Sequence, residues 1–353
     1  MLASPRRTKI EEDDSDALDP ADLTQLEQAA APVRLVVPSG GEGERLDKTL
    51  ARLMPEVSRS RIKEWIEQGA VQLNGKTPTA RQTTIAGDAI DVIPPLSPEA
   101  NAFQPEPMAL DVVHADETII VLDKPAGLVV HPATGNWSGT LLNGLLAYDP
   151  RLARLPRAGI VHRLDGETSG LMVVARTAAA QINLVRQLQA RTVTREYWAV
   201  VHGGAEKAGV VDAAIARDPR QPLRFKTTTA PHGKSARTLF RRIATADSSG
   251  RTFTWLACRL ETGRTHQIRV HLESIGLPLV GDPVYRRGRP SIARSETSLW
   301  ARFDRQALHA CRLGLVHPAT GEPVHWFKEP PQDMQQLMLS IGFDLHRRTE
   351  VFK

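Results

Sequence analysis

Five prolines fall within residues 94–107, PPLSPEANAFQPEP, and neither a helix nor an internal strand runs through such a segment. The chain is therefore expected to fold as one piece before this stretch and another after it, joined by a semi-rigid spacer. The 353 residues are enough for two or three domains.

The first piece, residues 43–93, carries two helical patterns and a small ribbon. Leu46, Leu50 and Leu53 repeat at helical spacing, with Asp47 near the helix start. Ser58 or Ser60 can cap a second helix whose apolar stripe is Ile62, Trp65 and Ile66, and Gly69 ends it. Val71-Gln72-Leu73 alternates like a strand, Asn74-Gly75 signals a hairpin turn, and Gly87-Asp88 turns into a second strand at Ala89–Ile93. Arg52, Arg59, Arg61 and Lys63 crowd the second helix, either as a solvated face or as an edge that grips phosphates.

The longer piece, 108–353, reads as short strands with few helices between them, an α+β pattern with an antiparallel or mixed sheet. Strands are expected at Ile119–Leu122, Gly159–Val161, Leu171–Ala175, Tyr197–Val201, Thr238–Ile243, Thr252–Arg259 and Leu313–Val316. The clearest helix is Thr177–Arg191, with Ile182, Val185 and Leu188 on one face. Another is expected from Thr265, with Ile268, Leu272 and Ile275 at i, i+4 and i+7.

Four segments hold candidate chemistry. HRLDGETSG, 162–170, places Asp165 in a tight loop between apolar strands, where a partly buried carboxylate needs partners to stay ionised. LETGRTHQIRVHL, 260–272, opens a helix whose N-terminus suits an anion, with His266 and Arg269 one turn apart. REYWAVV, 195–201, carries Tyr197, which can pack in a core or stack on a base. LDKPAGLVVHP, 122–132, carries Lys124, structural or RNA-contacting. His266 and His271 are five apart and do not share a helical face, so no metal site is expected, and neither a phosphate-binding P-loop nor a hydrolase nucleophile elbow occurs.

Charge narrows the partner. Residues 1–31 hold eight acids and three basic residues, read as a mostly disordered tail in which Asp19-Pro20 could start a short helix. The rest holds 42 basic and 32 acidic side chains, a basic body suited to a polyanion. Two cysteines do not make a disulfide framework, no apolar run reaches 18 residues, and no signal core opens the chain, so a cytoplasmic protein without a membrane span is expected.

Taken together, the motifs resemble one family. HRLDGETSG resembles the signature loop of the RluA-type pseudouridine synthases, LDKPAGLVVHPA their first motif, REYWAVVHG their tyrosine motif and GRTHQIRVHL their arginine motif. LVGDPVY followed by FDRQALHACRLGLVHPATGEP is similar to their C-terminal signature. The order RLDKTLARLMPEVSRSRIKEWIEQGAVQLNGKTPTARQTTIAGDAIDV resembles the S4 RNA-binding domain that precedes the catalytic domain in this family. FDRQALHA and PQDM are most similar to a subgroup acting on the large ribosomal subunit.

The resemblance implies an S4-type RNA-binding domain followed by a mixed or antiparallel-sheet pseudouridine synthase domain. It places the catalytic aspartate at Asp165, the motif arginine at Arg163, the stacking tyrosine at Tyr197 and the arginine paired with the aspartate at Arg269. It implies RNA contacts from Arg45, Ser58, Arg59, Ser60, Arg61, Lys63 and Lys76 in the first piece, and from Lys124, Arg264, His266 and Gln267 in the second. It further implies a cofactor-free monomer acting on 23S rRNA or a large-subunit precursor, with uridines of the helix 69 stem-loop as the target. Other 23S sites or tRNA stay open as targets, as do nucleophile and base as roles for Asp165. Gly166-Glu167 departs from the Lys-Asp that many relatives carry. The rival readings are a non-catalytic RNA-binding assembly factor and a metal-dependent phosphodiesterase.

Overall fold

The computed structural model describes residues 32–40, 43–94, 102–133, 136–287 and 297–346. Two units emerge: the smaller holds the described residues of Thr24–Gln104 and Pro132–Ser138, the larger those of Pro105–His131 and Gly139–Lys353. The division between Gln104 and Pro105 falls inside the proline-rich stretch. The acidic tail at 1–31, with its helix from Asp19, and residues 95–101 of the spacer lie outside the described residues.

In the smaller unit, α1 (Leu46–Leu53) and α2 (Arg59–Glu67) pack with a three-stranded antiparallel sheet of β1 (Val33–Val36), β2 (Val71–Leu73) and β3 (Ala89–Val92), in the order β1-β3-β2. Leu46 and Leu50 of α1 meet Ile62, Trp65 and Ile66 of α2 and Val71, Ile90 and Val92 of the sheet in one core. Ser58 caps α2 by accepting the Arg61 N–H. Asn74 and Gly75 both sit at positive φ, the conformation a tight two-residue hairpin turn requires. The strand β1 lies before residue 43 and extends the unit beyond the expected start. Arg52 lies on α1, not α2, and pairs with Glu44.

The larger unit is built on a nine-stranded mixed sheet. Its strands are β4 (Asp111–Ala115), β5 (Ile119–Lys124), β6 (Ser169–Ala175), β7 (Thr194–His202), β8 (Ala208–Asp212), β11 (Arg237–Ser248), β12 (Arg251–Leu260), β13 (Leu308–Val316) and β14 (Pro323–Phe327). The order is β4-β5-β6-β13-β7-β12-β11-β8, with β14 beside β13. A separate hairpin pairs β9 (Ile215–Asp218) with β10 (Gln221–Thr227). The late strand β13 inserts between β6 and β7, parallel to β6 and antiparallel to β7.

Strand alternation divides the packing into separate cores. Tyr197, Ala199 and Val201 of β7 face a core shared with Ile268 and Leu272 of α5 (Gln267–Ser274). Trp198 and Val200 face the other way, against Trp255, Trp300 and Met334. Against another face, α4 (Ala178–Gln189), preceded by α3 (Leu141–Tyr148), buries Ala180, Leu184 and Leu188.

Several expectations need correction. Gly159–Val161 is not a strand: Pro156–Gly159 forms a tight 3-10 turn and Ile160 makes only a single bridge to Val174. Ile182 points to solvent, because the buried stripe of α4 runs through Ala180, Leu184 and Leu188 instead. The helix expected from Thr265 starts at Gln267, and Ile275 caps its exposed end. Gly170 has φ +122°, and a Cβ there would lie 2.3 Å from the Ala310 carbonyl oxygen. That glycine serves the close approach of β13.

Candidate active site

The loop from Arg163 to Thr168 enters β6 and is braced from several sides. The Asp165 carbonyl accepts the Thr168 N–H at 3.0 Å, closing the turn. Gln306 donates to the Thr168 hydroxyl, and Arg305 to the Glu167 carbonyl. Ser169 pairs with His309 of β13 at 2.9 Å. The insertion of β13 thus places FDRQALHA directly behind the loop.

Lys124 is the deepest brace. Its side chain is fully buried, and its ammonium donates to the carbonyls of Pro125, Leu128 and Gly166 at 2.7–2.8 Å. An RNA contact by Lys124 is therefore ruled out, since all three N–H bonds are committed to the protein interior. Burial lowers its pKa to about 8, against the pull of Asp165 and Glu167, so it remains charged at neutral pH. Lys124→Met leaves three carbonyls without this donor, one of them in the Asp165 loop. It is expected to cost about 2–4 kcal/mol of stability, read as a lower urea midpoint; an unchanged midpoint would contradict the bracing role.

Above the brace, Asp165 meets the helix α5. Arg269 donates from Nη1 to Asp165 Oδ2 at 3.1 Å. Its Nε and Nη2 hold Asp282 at 2.7 and 3.0 Å. Asp282 is fixed in turn by the Val284 and Tyr285 N–H groups, and the Arg269 guanidinium lies over the Tyr285 ring at 4.9 Å. Burial raises the pKa of Asp165, but the positive edge of the His266 ring, the field and hydrogen bond of Arg269 and the field of Arg163 outweigh it and hold the carboxyl below its usual range. Burial also opposes the Arg269 charge, yet its two carboxylate partners keep its pKa above the free value.

A pocket opens at this ion pair. Asp165, Arg163, Tyr197, Arg264, His266 and Arg269 all line it, so the structure brings the expected catalytic set together. Tyr197 is nearly buried, at 5% exposure, while Arg163 is exposed. Gln267 also borders the pocket, but its amide is saturated: the oxygen accepts from Thr262 and the Arg264 N–H, and the nitrogen donates to the Arg237 carbonyl and Thr238. Its expected RNA contact is replaced by a role in holding the loop before α5.

In the smaller unit, Arg45 and Arg59 both grip the buried carboxylate of Asp47. They remain about half exposed, so each can present further N–H groups outward. Ser58 and Ser60 share a hydrogen bond, Lys63 pairs with Glu67 at 3.6 Å, and Lys76 is exposed in the hairpin turn. Arg61 is partly exposed in the first turn of α2.

Sequence reasoning missed Asp282, Tyr285, Arg195, Arg305 and Gln306. Asp282 and Tyr285 lie in LVGDPVY, and Arg305 and Gln306 in FDRQALHA, segments noted as motifs without a role for each residue. Arg195 was legible from strand period alone, two residues before Tyr197 and lining the same pocket. With Arg195 the pocket collects four arginines around one carboxylate, a field suited to a phosphate-bearing substrate. Among the described residues no group of three or more His, Cys, Asp or Glu could hold a metal ion, and no helix is long and apolar enough to cross a membrane.

Comparison with known proteins shows the family. The family model described as RNA pseudouridylate synthase matches residues 118–274, and that of the S4 domain matches residues 44–81. Ribosomal large subunit pseudouridine synthase D of Nitrosomonas europaea is 48% identical over 309 residues, 88% of each chain. The protein of that name from Neisseria meningitidis serogroup B is 47% identical over 344 residues, covering 94% of this chain and 89% of its own. That of Escherichia coli K12 is 47% identical over 311 residues, covering 86% and 93%. The solved structure of human RNA Pseudouridylate Synthase Domain Containing 4 covers 65% of this chain and 92% of its own with a TM-score of 0.50; at 24% identity it shows a shared fold alone.

Proposed function

The chain belongs to the RNA pseudouridylate synthase family, and on that premise we propose that it converts uridines of large-subunit ribosomal RNA to pseudouridine, with Asp165 as the catalytic carboxylate. The observation that carries this reading is the pairing of Asp165 with Arg269, itself clamped by Asp282, at the floor of an arginine-rich pocket beside Tyr197. The names of the relatives supply the large-subunit substrate. The resemblance of FDRQALHA and PQDM to the large-subunit subgroup supports the helix 69 stem-loop of 23S rRNA as its site.

The chemistry asks for little else. The N1–C1′ bond breaks, the uracil turns, and C5 bonds to C1′; a proton leaves C5 and one is taken up at N1. No group is lost and no electrons change hands overall, so the reaction needs no redox cofactor. An ionised carboxylate beside the ribose can act as nucleophile or as base, and the Arg269 pair keeps it ionised without water. Tyr197 offers a ring against which a flipped uracil can stack, and it lies within the same pocket to assist at C5. Unstacking costs a few kcal/mol, least in a loop, which favours a stem-loop substrate.

Primer-extension mapping of carbodiimide-treated 23S rRNA tests the target. New stops within helix 69 after incubation with the protein are expected; stops only elsewhere would move the target, and none would count against the activity.

The S4 unit is assigned to anchoring. Removing residues 1–93 is expected to weaken binding of large-subunit RNA about tenfold or more at physiological salt, while the single-turnover rate at saturating RNA stays within about threefold. An unchanged Kd would overturn the anchoring role.

A further inference from the structure

His266 has a backbone and a hydrogen-bond setting that pairing with Asp165 does not explain. Its φ is 56° and ψ 23°, a left-handed conformation uncommon for a residue with a Cβ. The imidazole is walled by Phe225 and Tyr285 in near-perpendicular contacts, with centroids 5.8 and 5.6 Å away. Its Nδ1 lies 2.9 Å from the buried Tyr285 hydroxyl. Its Nε2 faces the pocket, 4.0 Å from Asp165 Oδ1, beyond hydrogen-bond length.

Hydrogen-bond accounting fixes the tautomer. The Tyr285 oxygen already accepts the Phe225 N–H at 3.0 Å. Among the described residues, the only acceptor for the Tyr285 proton is His266 Nδ1. The neutral ring therefore carries its proton on Nε2, directed into the pocket. The same arrangement disfavours the doubly protonated ring, which would leave the Tyr285 O–H without an acceptor. Burial lowers the His266 pKa in the same sense, against the pull of Asp165.

We propose that His266 is a neutral hydrogen-bond donor to the uracil carbonyl oxygen that flanks the glycosidic bond. The proposal rests on the pseudouridine synthase reading and deepens it. As the N1–C1′ bond breaks, its electron pair remains on the uracil and spreads from N1 to O2 and O4. A donor that is neutral and already oriented stabilises that charge without surrendering its proton. Its closeness to Asp165 selects O2, the oxygen next to N1. When the ring turns to exchange N1 for C5 at C1′, O4 takes the place O2 held. One fixed N–H thus serves both bonded states. The carboxylate Asp165 works at the sugar, and His266 at the base.

The test uses the full-length protein and a synthetic stem-loop RNA bearing the mapped target as uridine or 2-thiouridine, whose sulfur is a poor acceptor, under single-turnover conditions at saturating enzyme. His266→Asn keeps a residue that tolerates the left-handed backbone but lacks the reach of Nε2. It is expected to slow uridine conversion about 100-fold, with the Kd for RNA changed less than about twofold. The thio substitution should then slow the wild type at least about fivefold more than it slows the variant. His266→Gln, whose amide nitrogen matches the Nε2 position, is expected to recover at least about tenfold over His266→Asn. Equal thio effects in wild type and His266→Asn would overturn the proposal, as would a variant within about threefold of wild type. A wild type that makes no pseudouridine from the uridine RNA would overturn the function reading itself, a failure visible before any variant is measured.

Discussion

Asp165→Ala and Asp165→Asn are expected to lower the rate of pseudouridine formation by about 10⁴-fold or more, while Kd for large-subunit RNA stays within about threefold. The structure gives a reason for the split. Arg269 loses only one hydrogen bond when Asp165 is removed, because Asp282 still holds it through two others. The pocket therefore keeps its shape and gains net positive charge, which favours an RNA backbone. What disappears is the one carboxylate in the pocket. Rates come from single-turnover assays and affinities from filter binding; a variant with a tenth of the wild-type rate would remove Asp165 from the chemistry.

The second large effect concerns Arg269. In Arg269→Met the cation between Asp165 and Asp282 is gone, and two carboxylates remain in place with one of them fully buried. Breaking a buried pair in this way costs about 3–5 kcal/mol. Arg269→Lys is expected to fall between, since a single ammonium cannot reproduce the two-pronged grip on Asp282 while reaching Asp165. The pH dependence should weaken. In the wild type the Asp165 pKa is depressed below 3.8. Its contribution to stability is present above the unfolded pKa and lost as pH falls through the folded one. Without Arg269 two of the influences that lower the pKa are lost, so it moves up from its depressed value toward the unfolded one. The variant should then lose less stability from this group as pH falls, and its acid limb of activity should move to higher pH. Urea denaturation at several pH values and a pH–rate profile read both; a variant with the wild-type profile and midpoint would contradict the clamp.

Much of this was legible in local pattern. The leucine spacing of α1, the Ser58 cap and the Asn74-Gly75 turn needed only short-range rules, and each is in place. The resemblance named Asp165 and Arg269, 104 residues apart in the chain, and the structure joins them at 3.1 Å. What failed were features set by distant partners. Lysine is almost never fully buried without partners, so nothing in DKPAG marked Lys124 as interior; its three carbonyls come from its own turn and from Gly166. Gln267 looks like a contact residue in a polar run until β11 and the preceding loop are seen to use its whole amide. Gly159–Val161 was too short a run for periodicity to decide between strand and turn. Ile182 fits the helical period, but the sheet lies against the neighbouring face. The second carboxylate on Arg269, Asp282, depends on a turn packing against α5, and no spacing rule reaches it.

The measurement that bears most directly on the central claim is tritium release from large-subunit rRNA labelled at uridine C5, with wild type and Asp165→Ala side by side. Release by the wild type and none by the variant is expected, since pseudouridine formation must lose the C5 hydrogen and Asp165 must drive it. Equal release from both would contradict the assignment of Asp165. No release from either, on free rRNA and on precursor particles alike, with tight RNA binding retained, would replace the enzyme reading with that of an RNA-binding assembly factor.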